Sequence, residues 1–224
     1  MNEAQIREEI CRVGRSLFER GYVHGTAGNI SVRLDDGFLI TPTEASLGHL
    51  DPSRLARLDG NLRQTHGDLA SKTIALHTRI YGAALRFDPG TRCVIHTHST
   101  HCVALTLNAP GAELLPALTP YFVMKVGHVP VIPYHRPGAP EAAVLVAQTI
   151  EHYGTRGMPI RAVVLERLGP NVWHDTPAAA MAALEELEET ARLWFVCRQS
   201  PQRAPVPLDE TQINDLRRNF GARW

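Results

Sequence analysis

The stretch V-I-H-T-H-S-T-H at residues 94–101 places three histidines within six positions, directly after apolar β-branched side chains. The apolar run C-V-I that leads into it favours a buried strand. On a strand, His96 and His98 are two residues apart and point to the same face, whereas His101 falls on the other face or beyond the strand. Two neighbouring imidazoles suit Zn²⁺ or another first-row divalent ion, so this pair is a candidate metal site. The alternative interpretation is a pair of solvated histidines at the polar end of a strand.

The composition of the chain excludes several classes of function. Its 224 residues are 44% hydrophobic and 21% charged, enough to bury a sizeable core. Lysine plus arginine (23) equals aspartate plus glutamate (23), so no net charge attracts nucleic acid or an anionic membrane. Residues 1–10 lack the apolar core of a signal peptide, and no run approaches ~18 consecutive apolar residues. The four cysteines are widely spaced, which is typical of buried thiols in a reducing cytosol. We therefore expect a cytoplasmic protein with neither nucleic-acid nor membrane partners.

The pattern along the chain alternates helices with β runs, which predicts one α/β domain over residues 1–224 with a C-terminal tail from about residue 201. The predicted elements are a helix over residues 3–20, a hairpin turning at residues 35–37, a helix over residues 71–85, a strand over residues 93–98, a short strand at residues 129–133, a helix near residues 140–153, two strands joined by a Gly-Pro turn over residues 161–174, and a long helix from Pro177.

Two further segments have the composition of anion-binding sites. The run H-G-T-A-G-N-I-S at residues 24–31 can expose backbone N–H groups to an oxyanion, as a phosphate cradle does. At the predicted start of the second helix, Ser71 and Lys72 bring a hydroxyl and a cation to free helix N–H groups. The alternatives are an ordinary glycine-rich turn for the first segment and a simple N-cap beside a solvated lysine for the second.

Taken in order, the runs G-T-A-G-N-I-S, T-P-T, S-K and I-H-T-H-S, followed by a Gly-Pro hairpin, resemble the class II aldolase/adducin family. That family includes fuculose-phosphate and rhamnulose-phosphate aldolases and ribulose-phosphate 4-epimerases. The runs L-G-H-L-D-P, T-P-Y-F-V-M, P-Y-H-R-P-G and L-E-E-L-E-E-T-A look most like its branch of 3-oxo-tetronate 4-phosphate decarboxylases. The resemblance spans roughly residues 5–200. It implies a three-layer α/β/α fold with a mostly antiparallel central sheet, assembled as a homotetramer with active sites between subunits.

The resemblance also implies a divalent metal, usually zinc with manganese or iron as alternatives, which polarises oxygen atoms of a phosphorylated small-molecule substrate. His96 and His98 match two of the family's three histidine ligands, and Tyr121 falls near a segment where some members carry a catalytic tyrosine. The positions that match residues holding the phosphate, or lying beside it, are Thr26, Gly28, Asn29, Thr43, Ser71 and Lys72.

Two departures from the family pattern affect the implied metal site. The family's third histidine lies in N-H-G-P, but the run here is E-R-L-G-P, so Leu168 stands at the ligand position. Thr73 replaces the family's acidic residue, which acts as base or ligand. Leucine has no lone pair, and threonine is no general base near pH 7.

A third departure concerns the phosphate loop, where Glu44 replaces a common glycine and brings a negative charge. Candidates for the missing metal ligand are Glu166, Glu44, His174 and water. Of these, Glu166 lies two residues before Leu168, on the same face if the strand continues.

We therefore predict an enzyme of carbohydrate metabolism, a divalent-metal-dependent carbon–carbon lyase with an altered active site. It would act as an aldolase or decarboxylase on a sugar phosphate or a small oxo acid. One alternative is a repurposed metal enzyme of the same fold, such as an Fe(II) oxygenase or a tailoring enzyme, because two histidines with Glu166 would form an iron-type ligand set. The other alternative is a non-catalytic binding or scaffold protein whose degenerate site holds no metal.

Overall fold

A central β-sheet organises the computed structural model, which describes residues 1–108, 111–199 and 205–224. Within these residues the strands are β1 Asn29–Leu34, β2 Gly37–Ile40, β3 Ala56–Asp59, β4 Gln64–His66, β5 Cys93–His96, β6 Val131–Ile132, β7 Ala162–Leu165 and β8 Gly169–His174. Their order across the sheet is β4-β3-β2-β1-β5-β8-β7-β6. Among these described strands, β6 and β7 form the one parallel pair, and every other neighbouring pair is antiparallel.

Helices cover both faces of this sheet. In the same described residues the α-helices are α1 Glu3–Glu19, α2 Ile74–Ala84, α3 Thr100–Leu105, α4 Pro140–Thr155, α5 Pro177–Arg198 and α6 Glu210–Phe220. The predicted fold class, a three-layer α/β/α arrangement with a mostly antiparallel sheet, is therefore confirmed. No helix in residues 1–108, 111–199 or 205–224 combines the length and apolar character needed to cross a membrane.

One face of the sheet packs against α1 and α5. Ile10, Val13 and Leu17 recur at helical spacing on α1 and are fully buried. They share a single apolar cluster with Ile95 of β5 and Val172 of β8. Burying an aliphatic side chain of this size stabilises the fold by about 1.5–3 kcal/mol. This cluster holds β5 and β8 in place, and β5 ends at His96, two residues before His98.

The opposite face packs against α2 and α4. Ile80 and Tyr81 of α2 join Val146 of α4 in a second apolar cluster that includes Val94 and Trp173 of the sheet. Strand alternation puts His96 on the same face as Val94, two residues along β5. The side chain of His96 is therefore directed toward the layer of α2 and α4.

Three differences between the predicted and the observed boundaries bear on the site. Helix α2 begins at Ile74 rather than at Ser71, because Ser71 and Thr73 share a side-chain hydrogen bond of 2.8 Å in the turn before the helix. Strand β5 ends at His96, so His98 lies beyond it. The turn between β7 and β8 is formed by residues 166–168, since the Gly-Pro pair predicted there begins strand β8.

The C-terminal tail was predicted from about residue 201, and residues 200–204 lie outside the described residues. Beyond them, Leu208 donates its backbone N–H to the carbonyl of Ala117 at 2.7 Å. Helix α6 then packs Ile213 and Leu216 against Val123. The four cysteines are free, but only Cys93 and Cys102 are buried, and Cys197 is exposed, contrary to the prediction of four buried thiols.

Candidate functional site

His96 is the last residue of β5, and its imidazole is oriented by the backbone of β8. The Nδ1 atom lies 2.9 Å from the carbonyl oxygen of Pro170, which also accepts the N–H of Thr97 at 3.2 Å. A carbonyl oxygen only accepts hydrogen bonds, so Nδ1 of His96 carries the proton. The other ring nitrogen, Nε2, therefore presents a lone pair. Metal-binding histidines in proteins are held in the same way.

His98 stands beside His96 at a spacing that fits a shared ion. Their ring centroids are 5.1 Å apart with an interplanar angle of 67°. Two imidazoles bound to one tetrahedral ion through metal–nitrogen bonds of about 2.0–2.1 Å have centroids about 5 Å apart. The pair predicted from the sequence is thus brought together at a distance suited to coordination.

Both imidazoles are neutral near pH 7. Burial lowers the pKa of His96 to about 4, and the neighbouring His98 adds to that shift. Burial also lowers the pKa of His98, with a contribution from His24. A neutral imidazole keeps the lone pair that a cation needs and carries no charge to repel it.

A row of buried polar side chains crosses three strands at His96. In the antiparallel register, His96 lies opposite Asn29 of β1 on one side and Asn171 of β8 on the other. His77 of α2 packs over this face, where its Nδ1 atom lies 2.7 Å from the hydroxyl of Ser31. Burial, with His96 as a second cause, lowers the pKa of His77 to about 3.

Several buried atoms of this row have no hydrogen-bond partner among the described residues. They are Oδ1 of Asn29, Nε2 of His77, and both Oδ1 and Nδ2 of Asn171. A buried polar atom left unpaired costs about 1–3 kcal/mol. Four such atoms around one imidazole indicate a polar site that water or a substrate would satisfy.

Two glycines allow neighbouring segments to approach the backbone of His96 and Thr97 closely. Gly28 has a φ of 84°, and a Cβ there would lie 3.0 Å from the carbonyl oxygen of His96. Gly169 has a φ of 126°, and a Cβ there would lie 2.2 Å from the carbonyl oxygen of Thr97. A side chain at either position would push the loop before β1 or the turn before β8 away from the site.

The predicted phosphate-binding residues occupy two neighbouring loops and the turn before α2. In the first loop, Thr26 is exposed, Gly28 is half-buried, and Asn29 is buried beside His96. In the second loop, Thr43 and Glu44 line a cavity of about 450 Å³. The residues around that cavity do not include His96 or His98.

The turn before α2 has fewer free donors than the sequence predicted. The N–H of Ile74 already donates to the carbonyl of Ser71 at 3.1 Å, and the N–H of Thr73 lies 3.4 Å from the Ser71 hydroxyl. Lys72 is exposed. An anion at this turn would therefore rely on the Lys72 ammonium group more than on free helix N–H groups.

Three other sequence candidates contact residues other than the histidine pair. His174 pairs with Cys93, three residues along β8 from Asn171, which places it about 10 Å away at the other end of the strand. Tyr121 is exposed and lines a cavity of about 540 Å³ together with His174. Glu166 lies in the β7–β8 turn, where its Oε2 atom accepts the N–H of Tyr134 at 2.9 Å.

Leu168 and Thr73 stand where the family pattern places a ligand and an acid. Leu168 is half-buried against the apolar cluster of α2 and α4. Thr73 is engaged with Ser71 through its hydroxyl. Within residues 1–108, 111–199 and 205–224, no three or more His, Cys, Asp or Glu side chains are arranged to hold a metal ion.

Two residues near the histidine pair were missed as site residues by the sequence analysis. The ring of His24 lies 6.2 Å from that of His98, between centroids, at an interplanar angle of 75°. The sequence analysis treated His24 only as the first residue of an anion loop. Asn171 gave a clearer signal, because an amide in the middle of the strand G-P-N-V-W is unusual for a buried position.

Comparisons with known proteins agree with this fold. A model of the class II aldolase and adducin N-terminal domain matches residues 8–195 of the chain. The chain belongs to the class II aldolase and adducin family. The predicted family resemblance is confirmed.

Individual members of the family are similar over nearly the full length. A 3-oxo-tetronate 4-phosphate decarboxylase from Cupriavidus necator is 50% identical over 225 residues, covering 99% of each chain. The crystal structure of YgbL from Klebsiella pneumoniae is 37% identical with a TM-score of 0.83, covering 97% of this chain and 100% of that one. The L-fuculose-1-phosphate aldolase of Thermus thermophilus is 26% identical with a TM-score of 0.75, covering 91% and 99%. These names bear out the prediction that the chain is an enzyme of the lyase type.

Proposed function

We propose that this chain is a decarboxylase acting on a phosphorylated 3-oxo sugar acid, with a divalent ion held at His96 and His98. The observation that carries the proposal is the pair of neutral imidazoles 5.1 Å apart, with the tautomer of His96 fixed for coordination by Pro170. The decarboxylase that is 50% identical over 99% of this chain supports the choice of substrate class. We infer zinc as the ion, since paired histidine nitrogens suit it.

The ring nitrogens of His96 and His98 suit such an ion, although the described residues hold only these two ligands in place. Nε2 of His96 presents its lone pair, and the neighbouring imidazole of His98 is half-buried. When bound, the ion supplies positive charge beside the oxygen where negative charge develops during bond cleavage. The chain itself supplies the neutral imidazoles and the buried wall that excludes water.

The absence of a carboxylate at Thr73 favours decarboxylation over aldol cleavage. Cleaving an aldol requires a base that removes a proton from the substrate hydroxyl, and a positioned base contributes about 10²–10⁴-fold to such a step. A 3-oxo acid loses carbon dioxide without any proton removal. The electron pair of the broken bond moves toward the 3-oxo oxygen, and a proton is then added at carbon. The Ser71–Thr73 hydroxyl pair is therefore compatible with decarboxylation and poorly suited to aldol chemistry.

The substrate's phosphate would bind at the loop before β1. Asn29 lies beside His96, its side-chain amide nitrogen can donate a hydrogen bond to a phosphate oxygen, and the left-handed Gly28 turns the backbone at this position. Lys72 is exposed at the neighbouring turn and adds a positive charge. Glu44 would oppose phosphate binding if it faced the same anion, because like charges in a poorly screened site repel.

The decisive experiment measures carbon dioxide release from a 3-oxo-tetronate 4-phosphate by protein loaded with Zn²⁺. We expect turnover by the wild type, and cleavage of fuculose 1-phosphate at least about 100-fold more slowly because a base is missing. His96→Ala should abolish release, while His66→Ala, on the exposed edge strand β4, should leave it unchanged. Aldol cleavage faster than decarboxylation, or full activity in His96→Ala, would refute the proposal.

The alternatives are separated by the same preparations. A non-catalytic binding protein is favoured by the lack of a preassembled three-ligand group in the described residues. It requires that neither substrate turn over while the fold stays intact. An iron-dependent oxygenase requires Glu166 as a ligand, and that carboxylate is engaged by the N–H of Tyr134. Iron-dependent oxygen consumption would be its signature.

A further inference from the structure

The rings of three histidines lie next to one another, with His98 between His96 and His24. His96 and His98 have centroids 5.1 Å apart, and His98 and His24 have centroids 6.2 Å apart. Rings that share one tetrahedral ion have centroids about 5 Å apart. The first pair is already at that distance. The described side chains form no three-ligand group as they stand, so the His24 ring must move toward both His96 and His98 to reach a shared ion. We propose that His24 is the third protein ligand of the divalent ion, in place of the histidine that Leu168 replaces; this rests on the proposed function of His96 and His98.

The segment that carries His24 is built to allow such a shift. His24 is exposed, and it follows Val23, which is 2% exposed and anchors the chain in the main apolar cluster. Gly21 and Gly25 flank it, with φ values of 73° and 55°, and neither has a heavy atom within 4 Å of the position of a Cβ. The buried Val23 therefore keeps the His24 ring near His98, while the unobstructed space at Gly21 and Gly25 leaves room for the segment to move.

The other candidates for the third ligand are less well placed. Glu166 is engaged by the N–H of Tyr134, and His174 lies at the opposite end of β8. Glu44 is exposed and faces the 450 Å³ cavity, whose lining does not include the histidine pair. Among these side chains, His24 is the one in ring contact with His98.

This assignment changes the charge of the site. Three neutral imidazoles leave the ion with its full double positive charge, whereas a carboxylate ligand such as the family's acid would cancel part of it. A substrate that carries both a carboxylate and a phosphate gains from the higher charge. The ion would also sit at the exposed rim, because His24 reaches it from the surface loop rather than from the sheet.

The test compares zinc affinity, measured by competition with a chromophoric chelator, in wild type, His24→Ala, His96→Ala and the control His66→Ala. We expect His24→Ala to weaken zinc binding by at least roughly 10-fold, since even the loss of a partner outside the ligand set does so. The Co²⁺-substituted protein should also change its visible spectrum, and X-ray absorption should count three imidazoles in wild type and two in His24→Ala. His66→Ala should match wild type in every readout.

Each contrary result identifies what has failed. Unchanged zinc affinity and an unchanged Co²⁺ spectrum in His24→Ala, with binding lost in His96→Ala, would overturn the role of His24 and leave the proposed function standing. Weaker binding of inorganic phosphate but not of zinc would also overturn it and place His24 in the anion loop. Wild type that binds neither Zn²⁺ nor Co²⁺ would overturn both proposals. Circular dichroism of His24→Ala should match wild type, because the side chain is exposed.

Discussion

Replacing Asn171 with valine should stabilise the protein. Asn171 is fully buried in β8, and neither its amide oxygen nor its amide nitrogen has a hydrogen-bond partner among the described residues. It lies opposite Val163 of β7 and His96 of β5. A β-branched side chain of similar size suits a central strand at such a position. The substitution therefore removes two unpaired polar atoms with little change in shape.

The size of the effect follows from those two atoms. Each buried unpaired atom costs about 1–3 kcal/mol. We expect a gain of about 2 kcal/mol in the free energy of unfolding, at the lower end of the sum, because valine must settle against Val163 and His96. For a chain of this length that gain raises Tm by roughly 4–8 °C. The contrasting variant Asn171→Asp should lose several kcal/mol, since it buries an unpaired charge.

The assay is urea unfolding of both variants in buffer free of metal and phosphate, with Tm measured in parallel. A loss of stability in Asn171→Val of more than about 1 kcal/mol would refute the reasoning. It would mean that ordered water already satisfies the amide, as buried waters do for other polar groups. A stabilised variant with reduced turnover would add that the amide contacts the substrate.

Three further outcomes are expected. Metal-free protein should lose stability as the pH falls below 6.5 toward 3–4, because His96 and His77 have pKa values lowered to about 4 and about 3 and bind protons mainly when unfolded. His96 alone accounts for about 3 kcal/mol of the free energy of unfolding. A free energy of unfolding in urea that stays constant between pH 7 and 5 would contradict this. Glu44→Gly should strengthen binding of inorganic phosphate in calorimetry, because it removes a negative charge and places glycine at a φ of 55° that favours it. Glu44→Gln removes the charge alone and so separates the charge effect from the backbone effect. Equal phosphate affinity in wild type and both variants would argue against both effects. Leu168→His should raise the zinc affinity measured by chelator competition, most clearly in a His24→Ala background. The new ring must turn from the apolar cluster toward His98 to do so. No gain in zinc affinity in either background would show that position 168 cannot reach the ion.

The sequence predicted the architecture well where local patterns dominate. The spacing of apolar residues along α1 and the proline at the start of α5 predicted both helices almost to the residue, since capping and periodicity are local properties. The start of α2 was wrong by three residues because two hydroxyls compete with the helix for hydrogen bonds. The prediction of a Gly-Pro turn was wrong because both residues lie in β8. The close approach of Gly169 to Thr97 that accompanies this position is a tertiary contact, which the local pattern does not reveal.

The candidate site was only partly predictable for a related reason. His96 and His98 are two residues apart, so their proximity along the chain brings them together even though β5 ends at His96. His24 lies more than 70 residues earlier, and its place beside His98 depends on how the loop before β1 folds against β5. The row of Asn29, His96 and Asn171 likewise depends on the register of three strands. Contacts across strands require the register to be known, and local propensity does not specify it.

The hydrogen bond from His96 to Pro170 places a chemical property of the imidazole under the control of the main chain. The acceptor is a peptide carbonyl, which every amino acid would provide at position 170. Exchanging the proline side chain alone would therefore leave the tautomer of His96 as it is. A change in the length of the β7–β8 turn would shift the carbonyl itself and release the ring. In an engineered or diverged relative, an insertion or deletion in this short turn should thus disturb the orientation of the imidazole more than many substitutions around the ring.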